Sequence, residues 1–491
     1  MSALTRDPSH NSLKSFKFAL FPNEKNTDFF ATLLKGALLV FLLTSISLVL
    51  YSAFATQTGW FGCPECHRPV QRSARSLNPT NISHVLFGIA GSVKTWHNRR
   101  HYSELWWKPG ITRGYVWLDG KPDSNKPWPE SSPPYRVSED WSRFKYSSSR
   151  PAVRIARIVM ESFRLGLPDV RWFVMGDDDT VFFPDNLVSV LANYDHRQMY
   201  YIGGISESVE QDVRHSYGMA FGGGGFAVSY PLAAELVKVL DGCLDRYHTF
   251  YGSDQRVWAC VSEIGVSLTR ERGFHQIDVR GDPYGLLAAH PLTPLVSLHH
   301  LEYVEPLFPN QTRLESLGSL MQAYRVDPAR TVQQSFCYHP KQSWSVSVSW
   351  GYTVQLYPWL LTAKDLETPL GTFKTWRSWQ DGPFIFNTRP VNPDPCDSPI
   401  IYFLEQVKED GKGSTLSTYR RHVAEPSKIC DKAPYAPAMS VDTIRVSALK
   451  MDPEEWSEAP RRQCCEISKS LTNNAMRVKI RQCKPRETIT S

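Results

Sequence analysis

Residues 172–186 read WFVMGDDDTVFFPDN: the strand-forming run Trp172-Phe173-Val174-Met175, then Gly176, three consecutive aspartates, and a second apolar run. Adjacent carboxylates repel one another, so a fold either leaves them in water as a solvated acidic turn or sets positive charge beside them. A divalent cation is the simplest such charge. Hard Mg²⁺ or Mn²⁺ prefers oxygen ligands, is held through one or two carboxylates, and leaves positions for a substrate diphosphate. An EF-hand needs acids at alternate positions and a later glutamate, a spacing absent here. A glycosidase pair needs carboxyl groups about 5–10 Å apart across a sugar bond, whereas neighbours on an extended chain alternate faces.

Working outward, apolar strands alternate with helical patterns. His84–Gly91 reads as a short strand ending in small residues, followed by a helical pattern through Trp96 and Trp106. Gly114–Gly120 reads as a second strand and turn, and the Pro/Ser-rich residues 121–150 as loop. Ala152–Leu165 carries the apolar spacing of an amphipathic helix, Val170–Met175 is a buried strand, Pro184–Leu191 a helix and Met199–Gly204 a strand. Such alternation predicts an α/β fold with a mostly parallel sheet and helices on both faces, ligands binding beyond the carboxyl ends of the strands. Asp177, Asp178 and Asp179 sit at such an end.

Met219–Ser229 places four glycines, 222–225, inside a strand-like run without the spacing of a phosphate loop. It reads either as a tight bend or as a binding floor. Helices follow from about Pro231 to Leu240 and from Ser253 to Ile264, and Leu295–Leu301 reads as a strand carrying His299 and His300, whose side chains would then face opposite ways. Beyond residue 315, Ser343–Leu360 alternates polar and apolar residues, the pattern of half-buried antiparallel strand.

The 491 residues suffice for two or three domains. Lys+Arg 55 against Asp+Glu 49 gives +6, too small and dispersed for a nucleic-acid partner. Gly36–Ala55 is uncharged and long enough to span a bilayer, and the preceding Arg6, Lys14, Lys17, Lys25 and Lys35 outnumber the acids Asp7, Glu24 and Asp28. This bias predicts a single-pass anchor with a cytosolic N-terminus and a lumenal remainder. Ala53-Phe54-Ala55 offers the alternative of a cleaved signal, against which the long N-terminal region counts. Asn81-Ile82-Ser83 and Asn310-Gln311-Thr312 are glycosylation acceptors, and all 10 cysteines follow the apolar segment, where disulfides can form. Cys63-Pro64-Glu65-Cys66-His67 reads as a structural disulfide in a stem, with zinc or redox chemistry as the alternative. The expected organisation is a cytosolic tail 1–35, anchor 36–55, stem 56–82, catalytic domain 83–315 and β-rich module 316–491.

The run 172–181 resembles the Asp-x-Asp signature of Fringe-like glycosyltransferases, glycosyltransferase family 31, and within them the plant Fringe-related proteins. The companion motifs HVLFGIAGS (84–92), YVWLD (115–119), YGMAFGGGGFAVS (217–229), YGSDQRVWAC (251–260) and PLVSLHHLEYVEPLFP (294–309) come in the family's order. The resemblance implies a GT-A fold, a UDP-sugar donor, Mn²⁺, and inverting transfer forming a β bond, with a β-1,3 linkage expected, in a type II Golgi membrane protein. It implies metal ligation by Asp179, Asp177 and His299, with Asp177 and Asp178 also near the ribose and donor sugar. Uridine would lie at Ile89, Ala90 and Gly91, the glycine run at Gly223 and Gly224 would floor the donor, and Asp254 would be the base. The acceptor would be a glycan, glycoprotein or small-molecule glycoside. One departure stands out: the acidic pair usual at the base position is here Asp254-Gln255. The rival expectations are a catalytically silent glycan-binding or scaffold protein on the same fold, and a secreted glycoside hydrolase.

Overall fold

A computed structural model describes residues 27–55, 79–411, 413–423, 430, 432–433, 435–468 and 474–490. Most of the expected stem, with Cys63 and Cys66, lies outside the described residues. The chain divides into two units, Met1–Leu77 and Asn78–Ser491. In the first, helix α1 spans Thr27–Ala55, and its stretch Ala31–Tyr51 is long and apolar enough to cross a membrane.

The second unit is built on a seven-stranded sheet. Its strands are β1 (Val85–Ala90), β2 (Arg113–Leu118), β3 (Tyr135–Val137), β4 (Trp172–Asp177), β6 (Tyr201–Gly203), β7 (Phe226–Ser229) and β8 (Leu268–Arg270), in the order β3-β2-β1-β4-β7-β6-β8. The β5 pair of residues, Val181–Phe182, belongs to a small separate sheet with β9 (Phe274–His275) and β11 (Ser297–Leu298). All pairings in the large sheet are parallel except those of β7, which runs against both β4 and β6. The expected mostly parallel α/β sheet is therefore present, with one reversed strand where the glycine run turns the chain.

Helices cover both faces. On one, α3 (Arg150–Arg164), α6 (Tyr230–Arg246) and α7 (Ser253–Glu263) pack over Leu86, Phe173, Met175 and Val228. Ser149 caps α3 by accepting the Ala152 N–H, with Pro151 in its first turn. A disulfide Cys243–Cys260 ties α6 to α7. On the other face lie α2 (Trp96–Glu104), α4 (Pro184–Leu191) and a cluster around Phe87, Trp106 and Phe182 that continues to Phe308, Tyr352 and Phe373. Residues on either side of the expected 315/316 boundary thus share one core.

The C-terminal half forms an eight-stranded, mainly antiparallel sheet. Its strands are β12 (Gln334–His339), β13 (Trp344–Ser349), β14 (Thr353–Tyr357), β16 (Ile400–Glu409), β17 (Ser414–Arg421), β18 (Thr443–Leu449), β19 (Cys464–Ile467) and β20 (Ala475–Arg481). The disulfides Cys337–Cys465, Cys396–Cys430 and Cys464–Cys483 hold it. The remaining strand, β15 (Phe373–Thr375), leaves this sheet and pairs antiparallel with β10 (Val279–Gly281).

Several local expectations are corrected. Residues 121–150 contain β3, whose three exposed residues pair only with β2. The first helix after the glycine run extends to Arg246 rather than Leu240. β13 and β14 are buried on both faces, because Ser345 and Ser349 hydrogen-bond to Leu361 and Leu287 in segments covering the polar side. The strand expected over Leu295–Leu301 is only Ser297–Leu298, since His300 takes a left-handed conformation with φ +54°.

Candidate functional site

β4 delivers the three aspartates to the sheet's carboxyl edge, where they diverge. Asp178 turns toward α2: its oxygens lie 3.1 Å from both Arg99 Nη1 and Thr95 Oγ1. Asp177 and Asp179 turn toward His299, whose Nε2 lies 3.2 Å from Asp179 Oδ1 and 3.8 Å from Asp177 Oδ2. Ligand atoms of Asp177, Asp179 and His299 all fall within 4.8 Å of one another. The three residues expected to bind a metal are thus brought together, and Asp178 is occupied by Arg99 and Thr95.

The glycine run lets this happen. Thr180 accepts the Asp177 N–H and donates to the Gly223 carbonyl, clamping the glycine turn onto the acidic loop. A Cβ at Gly223 would lie 2.0 Å from the His299 ring, so only glycine leaves room for the imidazole. Gly225 takes φ +86° against Phe182. Gly224 donates its N–H to Gln276 Oε1 and accepts from the Ser297 hydroxyl, so both its backbone groups are used within the protein.

Gly222 reaches Asp254, donating its N–H to Oδ2 at 3.1 Å, while the Gln255 N–H donates to Oδ1 at 2.9 Å. Asp254 sits in the first turn of α7, and a narrow cleft lined by Ala90, Asp177, Gly222, Phe226 and Asp254 joins it to the acidic loop. The Gln255 side chain turns back and accepts the Gly252 N–H, capping the helix.

The expected uridine edge is placed beside this cleft. Ala90 pairs in register with Asp177 and lines the cleft, whereas the Ile89 side chain is buried in the core. The Gly91 carbonyl accepts from Arg154 Nη2 at 2.9 Å, and Arg154 Nη1 donates to the Trp117 carbonyl at the same distance.

Charges in the cluster are sharply split. Burial pushes Asp179 up, yet the His299 charge and contact, with Arg99, hold its carboxyl well below the ordinary value. Burial in the cleft raises Asp177, despite 37% side-chain exposure; the neighbouring aspartates add to this and His299 opposes it. Burial also raises Asp254, against the Gly222 and Gln255 N–H groups. For His299 burial acts downward, but Asp179 and Asp177 win and raise it. Opposite charge and burial of this size within one cleft are features of functional sites.

The residues fit a divalent cation. Two carboxylates and an imidazole form a mixed oxygen and nitrogen donor set, and the buried Asp179 Oδ1 makes no aligned hydrogen bond among the described residues beyond its ion-pair contact with His299 Nε2 at 3.2 Å. Among the described residues the other potential ligand group, Cys464, Cys483 and Glu487, is excluded because its two sulfurs form a disulfide.

Sequence reasoning missed Arg99, Asp278 and Trp376. Arg99 bridges Asp178, Asp179 at 3.5 Å and Glu302 at 2.7 Å. Asp278 holds His300 Nδ1 at 2.9 Å and accepts the Ser206 hydroxyl at 2.8 Å. The His300 ring stacks 4.0 Å from His299, so both imidazoles lie on one side, and Trp376 stacks on His300 at 4.4 Å. These partners stand far apart in sequence and carry no local signal.

No curated protein matches the sequence significantly. Three solved structures are similar over part of the chain. A Drosophila β1,4-galactosyltransferase 7 catalytic domain with xylobiose shares 14% identity over 38% of this chain and 64% of that one, with TM-score 0.23. An active-site mutant of LgtC shares 14% over 47% and 94%, with TM-score 0.31. A glycosyltransferase involved in glycosylating the major capsid of PBCV-1 shares 15% over 48% and 98%, with TM-score 0.25. The chain spans under two thirds of the first of these structures. The model of the family described as "Protein of unknown function, DUF604" matches residues 211–465, more than half of the chain, and the protein belongs to that family.

Proposed function

We propose that the protein is a Fringe-like glycosyltransferase of the GT-A type, anchored in the Golgi membrane by α1, that transfers a sugar from a UDP-sugar to an acceptor hydroxyl with inversion, forming a β-1,3 bond. The observation that carries this reading is the convergence of Asp177, Asp179 and His299 across one cleft from Asp254. Asp177, Asp179 and His299 would hold Mn²⁺, which when bound supplies Lewis-acid stabilisation to a departing diphosphate. Asp254 accepts the proton of the acceptor hydroxyl as that oxygen bonds to the sugar's anomeric carbon and the bond to UDP breaks. Its raised affinity for a proton, caused first by burial, suits a base better than an ordinary exposed carboxylate. Gln255 does not compete for this role, because its side chain caps α7. Ala90 and Gly91, beside Asp177 at the end of β1, offer an edge for uridine, positioned from behind by Arg154.

The test is a panel of UDP-sugars incubated with the detergent-solubilised full chain, with and without Mn²⁺, reading UDP release and calorimetric binding. The reading requires at least one donor to be bound and consumed in a Mn²⁺-dependent way. Failure of every donor to bind or turn over refutes it.

A further inference from the structure

The two-stranded sheet formed by β10 and β15 carries an aromatic group against the His299–His300 pair. Trp376 is stacked on His300 on one face, with an interplanar angle of 7°. The Arg280 guanidinium lies against Trp376, 3.8 Å from the ring centroid, and also sits 5.0 Å from Tyr303 and 5.8 Å from Trp379. The layers His299, His300, Trp376 and Arg280 therefore run from the candidate metal ligands to the surface. There the stack ends in two aromatic rings facing solvent, Tyr303 at 44% and Trp379 at 60% exposure.

Trp379 is not loosely exposed. The turn carrying it is closed by the Thr375 N–H on the Gln380 carbonyl and by the Gln380 N–H on Thr375 Oγ1. It is pinned to α5 (Val209–Arg214), where Arg377 Nε donates to Gln211 Oε1 at 2.7 Å and the Ser378 N–H to Glu210. Trp379 itself adopts φ +54°, a left-handed conformation that a bulky side chain avoids unless the surroundings impose it. A rigid turn thus holds a large apolar ring in water, at an unfavourable backbone angle, beside the candidate site.

We propose that Tyr303, Arg280 and Trp379 form the subsite for a pyranose ring of the acceptor; this rests on the reading of the cluster given above. The C–H face of a pyranose stacks on an aromatic ring, while its hydroxyls accept from a guanidinium. Arg280 Nε is fixed by the Trp376 carbonyl at 3.2 Å, and its Nη groups have no hydrogen-bond partner among the described residues. The alternative occupant, the uracil of the donor, is assigned by the reading above to the edge beside Asp177 and Arg154, at the end of β1.

Saturation-transfer NMR on the full chain in detergent, with methyl β-D-galactopyranoside, methyl β-D-glucopyranoside, methyl β-D-xylopyranoside and N-acetylglucosamine as probes, tests this. Calorimetry of UDP with Mn²⁺ runs in parallel. The expected result is binding of at least one glycoside, weakened about tenfold in Trp379→Ala, the loss of one stacking contact. Trp379→Phe and the remote control Tyr146→Ala should retain it. Absence of binding by every probe overturns the proposal, as does equal binding in Trp379→Ala. A parallel loss of UDP affinity in Trp379→Ala also overturns it, assigning the rings to the nucleotide. Failure of the wild type to bind UDP with Mn²⁺ instead refutes the proposed donor site, while the glycoside titration still decides the subsite.

Discussion

The His299 imidazole occupies the space that a side chain at Gly223 would need, with Cε1 at 2.0 Å and both ring nitrogens at 2.4 Å from the position of a Cβ there. Thr180 clamps the Gly223 carbonyl, so the turn cannot retreat without disturbing Asp177. Gly223→Ala is therefore expected to displace His299 and lower Mn²⁺ affinity about 10- to 100-fold, the range for displaced support of a ligand. Calorimetric titration of Mn²⁺ checks this, and an unchanged titration would show that His299 is not a ligand.

Asp254 and Gln255 should separate cleanly. Asp254→Asn keeps the shape that meets Gly222 but removes the proposed base, so turnover should fall about 10²- to 10⁴-fold with UDP binding retained. Because burial raises the Asp254 carboxyl, the wild-type rate should decline on the acid side at a pH above the ordinary carboxylate value, and this limb should vanish in the variant. Gln255→Ala should leave turnover in place and cost about 1 kcal/mol of stability by urea denaturation, the loss of a cap. Full activity in Asp254→Asn would remove it from the mechanism.

How much of this could be read in advance depended on the range of the signal. The run Trp172–Met175 announced a buried strand, and the charges behind Gly176 marked its end, because apolar continuity and a sudden polar cluster are local features. β3 escaped notice because it is three exposed residues directly after Pro133-Pro134, held only by its neighbour β2. The reversal of β7 could not be told from a parallel strand, since the glycines report a tight turn but not the direction taken after it. His300 breaks from the strand pattern because Asp278 and Trp376 fix its ring, and neither partner is nearby in sequence. Arg99 was invisible for the same reason: its carboxylates lie just after β4 and after β11.

Arg99 neutralises Asp178 and Asp179, which are 3% and 2% exposed. Arg99→Met should leave the Asp178 charge without an ion-pair partner and Asp179 with His299 alone, and lower stability by about 3 kcal/mol. A bound cation would replace part of the lost charge, so Mn²⁺ should raise the Tm of the variant by more than that of the wild type. Thermal melts of both proteins with and without Mn²⁺ make the comparison. Equal shifts would mean that Arg99 and the metal do not share the same carboxylates.

Glu161 on α3 tests the fold away from the site. Its side chain is buried; Oε2 accepts the Glu139 N–H at 3.3 Å and Oε1 has no partner among the described residues. Burial pushes its carboxyl from 4.5 up to about 7, the Glu139 charge adding to this while the Glu139 N–H, Arg157 and Arg154 oppose it. Between those two values the folded protein keeps a proton that the unfolded chain releases, so stability is full below pH 4.5, falls as pH rises toward 7, and is level above. The fall amounts to roughly 3 kcal/mol at most. Glu161→Gln carries no charge at any pH, so urea denaturation should find it more stable than the wild type at pH 8 and nearly equal at about pH 4.5. The same difference at both pH values would show that the Glu161 carboxyl titrates in the folded protein as it does in the unfolded chain.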